Sequence, residues 1–159
     1  MDPTVLLDQI EPGFYAVTDP DHPDTVIYWR RVKTRKTDAL NAWPAKAWHG
    51  PAIPKRSELP DDPIARTVFV DAWSASRRAY LTLVIVAIHA DRAAARRRFA
   101  DFSICCARCG RPLLDPESKA LGIGPDCRRG MDPALLARYA PPLVGQAHAA
   151  HLDAKGVDR

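Results

Sequence analysis

The sequence has no apolar run of eighteen residues, which is about the length that a membrane-spanning helix requires. Its first residues, Met1-Asp2-Pro3-Thr4, are acidic and polar, whereas a secretory signal peptide begins with basic and then apolar residues. We therefore expect a cytoplasmic protein without a membrane partner. The 159 residues are 47% hydrophobic, a fraction that excludes wholesale disorder and suits one ordinary domain.

Familiar catalytic motifs are also missing. The chain has no glycine-rich phosphate-binding loop and no Gly-x-Ser-x-Gly nucleophile elbow. Gly122 and Gly124 fall short of a dinucleotide-binding fingerprint. The adjacent carboxylates Asp61 and Asp62 lie in a proline-rich loop, where simple solvation is expected. These absences favour a protein that is not an enzyme and that has no small-molecule substrate.

Cysteine is scarce, but all four cysteines lie within residues 105–127. The two-residue spacer lets Cys106 and Cys109 reach one tetrahedral ion from a single tight turn. Gly110 can then adopt the positive φ that such a turn often needs. In a reducing cytosol, clustered cysteines indicate a metal site rather than a disulfide. We interpret this segment as half of a structural Zn²⁺ site.

The third ligand of this site is predicted to be Cys127. Gly124 and Pro125 have the features of a helix start, because proline is well tolerated at the first helical position. Cys127 would lie in that first turn, where the helix dipole favours the thiolate that a metal requires. A short helix capped by Asp115 and ended by Gly122 is expected to bridge the two halves of the site.

Structural zinc sites are almost always four-coordinate, so the three cysteines leave one ligand unassigned. Cys105 is one candidate, although neighbouring side chains of an extended segment point apart. His148 and His151 share a face if the tail is helical, whereas His49 and His89 are expected to be ordinary residues. The spacing alone does not separate zinc from an iron site, nor from a redox-active dithiol.

The cysteine block resembles an uncharacterised family of small cysteine-rich domains found in actinobacteria and their phages. The family signature is C-x2-C-G-R-x-L-x-D-P-x-S-x3-G-x-G-P-x-C. It is matched by Cys106, Cys109, Gly110, Arg111, Leu113, Asp115, Pro116, Ser118, Gly122, Gly124, Pro125 and Cys127. The resemblance covers roughly a fifth of the chain and implies a zinc-binding module of unknown activity.

Patterns upstream of the cysteines predict an α+β fold. Residues 13–17, 25–32 and 67–70 are β-branched and aromatic and have the features of strands of a small antiparallel sheet. Residues 38–60 are expected to form an irregular excursion with one short strand. The apolar residues 79–88 fit a strand or a helix, and we favour a helix because Asp91 can cap a second helix over 92–100.

These elements predict three parts of the chain. An N-terminal α+β domain with the sheet and one or two helices would occupy residues 1–102. A zinc-knuckle-like module with short helices would follow at 103–140, including a helix that Asp132 caps and that ends near residue 140. Residues 141–159 would form a tail that is frayed over 152–159.

The net charge of +4 is unevenly distributed. Residues 1–75 carry 9 basic and 11 acidic side chains, whereas residues 76–159 carry 14 basic and 8 acidic ones. A basic surface beside a rigid small module is typical of phosphate-backbone recognition. The predicted contacts to DNA, RNA or a nucleoprotein complex are Arg96, Arg97, Arg98, Arg108, Arg111, Arg128 and Arg129.

Other interpretations of the basic surface and its surroundings stay open. Arginines also cap carbonyls and pair with acids on a solvated helix face. Trp43 and Trp48 could stack on bases, although tryptophans more often cover the edge of a small core. The favoured function is a non-enzymatic, zinc-stabilised binding module. The alternatives are an adaptor or inhibitor that binds a protein in phage or host, and a thiol-redox or metal-dependent enzyme.

Overall fold

The computed structural model describes residues 3–139 and has six α-helices and three β-strands within that range. In chain order they are α1 (Pro3–Asp8), β1 (Gly13–Thr18), β2 (Val26–Lys33), β3 (Asp38–Trp43), α2 (Pro63–Ala90), α3 (Arg92–Ser103), α4 (Pro116–Leu121), α5 (Pro125–Arg128) and α6 (Pro133–Tyr139). A 3₁₀ turn, Arg56–Glu58, precedes α2. The predicted α+β class is confirmed.

The three strands form one antiparallel sheet in the order β1-β2-β3. Gly13 pairs with Arg31 at one end of the first ladder, and Thr18 pairs with Val26 at the other. The strands predicted at 13–17 and 25–32 are therefore confirmed. The irregular excursion contains its one short strand, β3, which runs beside β2 with Lys33 opposite Asp38.

The strand predicted at residues 67–70 is wrong, because these residues lie inside the 28-residue helix α2. The side chain of Asp62 caps this helix by accepting a hydrogen bond from the backbone N–H of Ala65, and Pro63 occupies the first helical position. A strong start signal outweighs the weak strand preference of a β-branched run. The helix predicted over residues 79–88 is confirmed as the C-terminal part of α2.

Helix α3 begins where the sequence predicts, since the Asp91 side chain accepts from the N–H of Ala94. The prediction that Arg96, Arg97 and Arg98 belong to an exposed nucleic-acid-binding surface is wrong for the first two. Arg96 is 1% exposed and Arg97 is 5% exposed, whereas Arg98 is half-buried. The sheet and α4 both contact α3, so that its arginine-bearing side faces the protein.

Two hydrophobic clusters cover the two faces of the sheet. Alternation along β1 sends Tyr15 and Val17 to the cluster shared with α1 and α2. It sends Phe14 and Ala16 to the second cluster, which contains Phe99 of α3. Residues of the cysteine block complete this second cluster: Cys106, Ala107, Leu113 and Ile123. The cysteine segment is therefore built on the sheet and on α3.

The two tryptophans of the excursion have different surroundings. Trp43 packs against Phe14, Tyr28 and Phe99 at ring-centroid distances of 5.1–6.0 Å, so it covers the core. Trp48 is 44% exposed, and its Nε1 donates to the carbonyl of Pro51. The guanidinium of Arg77 lies over its ring.

The short C-terminal helices start at the predicted capping residues. Asp115 accepts from the N–H of Ser118 at the start of α4, and Asp132 accepts from the N–H of Ala134 at the start of α6. The tail 141–159, with His148 and His151, lies outside the described residues. The division of the chain at residues 102 and 140 stays a prediction. Within residues 3–139, no helix combines the length and apolarity needed to cross a membrane.

Candidate metal centre

The first two cysteines lie in a short hairpin that residues 104–113 form. Cys105 and Pro112 make an antiparallel bridge, and the N–H of Cys106 donates to the carbonyl of Arg111 at 2.8 Å. The N–H of Gly110 donates to the carbonyl of Cys106, also at 2.8 Å, which closes the turn. This turn holds the Cys106 and Cys109 side chains on the same side of the hairpin.

Gly110 satisfies two requirements of this turn. Its φ is +76°, a conformation that side chains of L-residues rarely adopt. A Cβ at this position would also lie 2.7 Å from Cζ of Phe14. The predicted need for positive φ is confirmed, whereas the contact with the sheet has no signal in the local sequence.

Backbone hydrogen bonds fix the hairpin to the rest of the protein. The N–H of Phe14 donates to the carbonyl of Ala107 at 2.7 Å, which joins the hairpin to β1. The N–H of Ala107 donates to the carbonyl of Gly122 at 3.0 Å, which joins it to the end of α4. Cys106 is 1% exposed, and it is the cysteine most deeply set in this framework.

Cys127 approaches from a separate element. It is the third residue of the single-turn helix α5, which starts at Gly124 and Pro125 as the sequence predicts. The guanidinium of Arg108 donates to the carbonyl of Cys127 at 2.9 Å and ties α5 to the hairpin. The Sγ atoms of Cys106, Cys109 and Cys127 all lie within 4.8 Å of one another.

This spacing fits a tetrahedral metal site. With Zn–S bonds of about 2.3 Å, tetrahedral geometry places two sulfurs roughly 3.8 Å apart. Each pair of sulfurs therefore needs at most about 1 Å of closure, which rotation of the side chains can supply. Three thiols are also a donor set that zinc prefers. The residues present thus fit the metal that the sequence predicts.

The pKa values of the thiols are shifted in opposite directions. Burial acts to raise the pKa of Cys106, but hydrogen bonds from the N–H groups of Gly124, Cys109 and Arg108 outweigh it and lower the pKa. Burial and the neighbouring thiols of Cys109 and Cys106 raise the pKa of Cys127 to about 12. The expectation that the start of α5 favours a thiolate at Cys127 for metal binding stays a prediction.

The structure does not bring Cys105 into the group of three. Its thiol donates to the carbonyl of Ser103 at 3.3 Å, since consecutive side chains of the hairpin point apart. The rings of His49 and His89 contact Trp29 and Gln9 respectively. Over residues 3–139, no fourth cysteine, histidine, aspartate or glutamate joins the three thiols.

A cleft of about 200 Å³ opens beside the sulfurs. Asp115 and Asp126 are among its lining residues. Asp115 is engaged in capping α4, where the Ser118 hydroxyl and N–H lower the pKa of its carboxyl. Asp126 forms ion pairs with Arg111 at 3.6 Å and with Arg129 at 3.2 Å. The cleft therefore gives a fourth ligand access to the site.

The seven predicted nucleic-acid contacts divide into two groups. The side chains of Arg111 and Arg129 are 77% and 81% exposed, and Arg108 is also exposed. Arg128 is mostly covered, with a side chain 15% exposed and paired with Glu117. The half-buried Arg98 and the exposed arginines are the members that a ligand could reach.

The two buried arginines instead connect elements. Arg96 donates to the Tyr15 hydroxyl at 2.7 Å and pairs with Glu11 at 3.1 Å. Arg97 pairs with Asp101 at 2.8 Å and donates to the carbonyl of Ala120 in α4. The sequence, three successive arginines after three alanines, gave no sign of this role.

A sequence family described as a family of unknown function (DUF6011) matches residues 96–132. No curated protein matches the chain, and no solved structure matches it. The matched residues run from α3 through α5 and contain the complete cysteine signature. The link to actinobacteria and their phages stays a prediction. What the chain shares with this family is the segment that brings three thiols together.

Proposed function

We propose that the protein is a non-enzymatic binding module of the cytoplasm, in which Cys106, Cys109 and Cys127 hold one structural Zn²⁺. The observation that carries the proposal is the convergence of three sulfurs, within 4.8 Å of one another, from a hairpin and a separate helix. Bound metal would supply a cross-link between these segments. It would add to folding free energy because the unfolded chain has no such site.

A structural role is supported by the position of the thiols. Cys106 is buried in the second hydrophobic cluster together with Ala107 and Leu113, which are parts of the core. A fourth ligand from the cleft or from the tail would close the coordination shell, as structural sites require. The scarcity of catalytic motifs in the sequence agrees with this role.

The metal ligands can be tested by measuring zinc stoichiometry in matched cysteine variants. We expect Cys127→Ser to lose at least about tenfold in zinc affinity, since it removes one of three thiolates. Cys105→Ser is the control, because its thiol faces the Ser103 carbonyl and lies outside the group. Equal zinc binding by the two variants would contradict the proposed ligand set.

For the partner, we propose a nucleic-acid phosphate backbone that contacts the exposed arginines Arg108, Arg111 and Arg129. Their support is the basic excess of residues 76–159 and the exposure of these side chains. The ion pairs with Asp126 are exposed, and pairs of this kind contribute little, so a phosphate can compete for both arginines. Arg96 and Arg97 are excluded from this surface by burial.

This partner is tested by the salt dependence of binding to DNA and RNA oligonucleotides. Loss of one phosphate contact reduces the slope of log K against log salt by about 1, so Arg111→Ala and Arg129→Ala should each weaken binding and flatten the slope. Arg56→Ala removes an exposed arginine outside the cysteine segment and should leave the slope unchanged. Failure to bind at about 50 mM salt would contradict the nucleic-acid proposal and leave the metal proposal intact.

A further inference from the structure

Helix α2 carries an exposed apolar face opposite to the one that it buries. Its buried side chains are Tyr80, Val84, Ile85 and Ile88. We call the exposed apolar side of α2 the outer face. Its residues are separated by three, four or seven positions: Ile64, Val68, Ala75, Ala79, Leu83 and Val86. At about 100° per residue they fall in one sector roughly 100° wide, the usual width of a packing face.

All of the outer face is solvent-exposed in the single chain. Ile64 is 77% exposed, Val68 is 64% exposed and Leu83 is 55% exposed. A surface helix normally turns such a face toward a core and its polar residues toward water. Helix α2 does this with Tyr80, Val84, Ile85 and Ile88, and the outer face is a second apolar face on the water side, so it has the character of an interface that lacks its partner.

Two charged residues of α2 lie on the side opposite to the outer face, and two border it. Arg66 donates to the carbonyl of Pro60, and Arg77 donates to the carbonyl of His49, both on the side that packs against the preceding loop. Asp71 and Arg78 fall at one edge of the outer face by helical periodicity. A partner that covers the face would therefore meet Asp71 and Arg78 only at the rim of the interface.

We propose that the outer face binds the outer face of a second copy of this chain, with the two α2 helices antiparallel. The face is close to symmetric about residue 77, since Val68 and Val86 lie nine residues on either side and Ala75 and Ala79 lie two. A two-fold axis at this point places Val68 of each copy against Val86 of the other. This is the self-complementarity that a symmetric dimer requires.

The side-chain sizes suit this pairing. Alanines at positions 75 and 79 allow the two helices to approach closely at the two-fold axis. The larger Val68, Leu83 and Val86 fill the space toward the ends. These side chains are apolar, so the contacts among them remove apolar surface from water. The same two-fold axis brings Asp71 at the edge of the face level with Leu83 of the other copy.

The small contact area that α2 offers predicts a weak dimer that dissociates on dilution. A helix of 28 residues is about 42 Å long. A strip about 10 Å wide along it covers roughly 400 Å² on each copy, or about 800 Å² in total, which is below the size of standard stable interfaces. We therefore expect self-association in the micromolar range, and only weak contributions from the rest of the surface.

Sedimentation equilibrium of the full chain, between about 1 and 300 μM, tests the dimer. The proposal predicts a rise from the 17.6 kDa chain mass toward twice that value. Val68→Glu should weaken association at least tenfold. Thr67→Glu, which places the same charge on the neighbouring exposed position off the outer face, should change it less than twofold. Circular dichroism checks that both variants stay folded.

A charge-pair variant tests the antiparallel register. In the proposed dimer, Val68→Glu combined with Val86→Lys forms two cross-chain ion pairs and restores association relative to Val68→Glu alone. In a parallel dimer like charges would meet, and association would not recover. A chain that is monomeric throughout, an equal effect of the two glutamates or no recovery would each overturn the proposal. None of these outcomes depends on metal, so the proposed function is tested separately.

Discussion

At the residue scale, the metal centre depends on a glycine that meets the sheet. Gly110 closes the cysteine turn at φ +76°, and the ring of Phe14 occupies the space where a side chain would lie. Gly130 has almost the same φ, +73°, but among residues 3–139, apart from its two chain neighbours, no atom lies within 4 Å of its would-be Cβ. Alanine substitutions at the two glycines therefore separate the cost of backbone strain from the cost of crowding against Phe14.

We predict that Gly130→Ala lowers the free energy of unfolding by about 1 kcal/mol, the usual cost of a left-handed conformation for alanine. Gly110→Ala should cost about 1–3 kcal/mol more, because the methyl group must also displace Phe14. Urea denaturation of both variants measures the difference. Equal losses would show that the hairpin does not rest on the sheet as described.

Asp19 is a second residue whose contribution to stability can be measured. Its carboxylate accepts from the Asp21 N–H and the Tyr80 hydroxyl, both at 3.0 Å, and lies 3.2 Å from the His22 ring. Burial acts to raise the pKa of Asp19, but these hydrogen bonds outweigh it, so the pKa lies below the ordinary 3.8. The pKa of Tyr80 is correspondingly raised by burial and by Asp19.

The lowered pKa of Asp19 predicts an acid-sensitive contribution to stability. Because the folded state binds its proton less tightly, this contribution is complete above the unfolded-state pKa and is lost as pH falls through the folded-state value. Asp19→Asn should therefore show a smaller loss of unfolding free energy between about pH 5 and pH 3 than the native protein. Parallel pH profiles for the two proteins would contradict this assignment.

At the element scale, a buried arginine joins α3 to α4. Arg97 pairs with Asp101 one turn later in α3 and donates to the carbonyl of Ala120 near the end of α4. The same turn of α4 ends at Gly122, whose carbonyl accepts from Ala107 of the cysteine hairpin. Arg97 thereby helps to position the hairpin from a distance.

We predict that Arg97→Met lowers the free energy of unfolding by about 2–3 kcal/mol, because a partly buried carbonyl and a partly buried carboxylate lose their partner. Arg98→Met, at a half-buried position next along the helix, should change it by no more than about 0.5 kcal/mol. Thermal or urea unfolding measures both. A larger loss for Arg98→Met would show that the buried contacts of Arg97 contribute little.

The sequence predicted elements well wherever start and stop signals are local. Asp91, Asp115 and Asp132 each cap a helix, and Gly122 ends α4 in a left-handed conformation. The prediction of a strand at residues 67–70 failed because the helix start signal of Asp62 and Pro63 lies upstream of the β-branched run that suggested a strand. Helix α2 therefore continues through a segment whose composition favours strands.

Predictions of the site succeeded where the spacing of residues in the sequence determines the geometry. They failed where tertiary packing determines which side chains are buried. The predicted convergence of Cys106, Cys109 and Cys127 is confirmed, since their Sγ atoms lie within 4.8 Å of one another. The burial of Arg96 and Arg97 depends on Tyr15 and Ala120, which lie far away in sequence. No local pattern distinguishes such arginines from those of a solvated helix face.

At the scale of the whole molecule, the cysteine hairpin is continuous with the core. Cys106 belongs to the same hydrophobic cluster as Phe14 of β1 and Phe99 of α3, and the Ala107 carbonyl bonds to β1. A metal held there would stabilise the sheet and α3 along with the hairpin. We therefore expect metal loss to affect the unfolding of the entire chain rather than of a small appendage.

Metal content, combined with thermal melting before and after chelation, tests whether the three cysteines hold a structural metal. We expect one zinc per chain in the purified protein. We also expect a melting temperature that falls by about 10 °C or more after chelation, since losing several kcal/mol shifts a domain of this size by that order. Folded protein that contains no metal, with a melting temperature that chelation leaves unchanged, would contradict a structural metal centre at Cys106, Cys109 and Cys127.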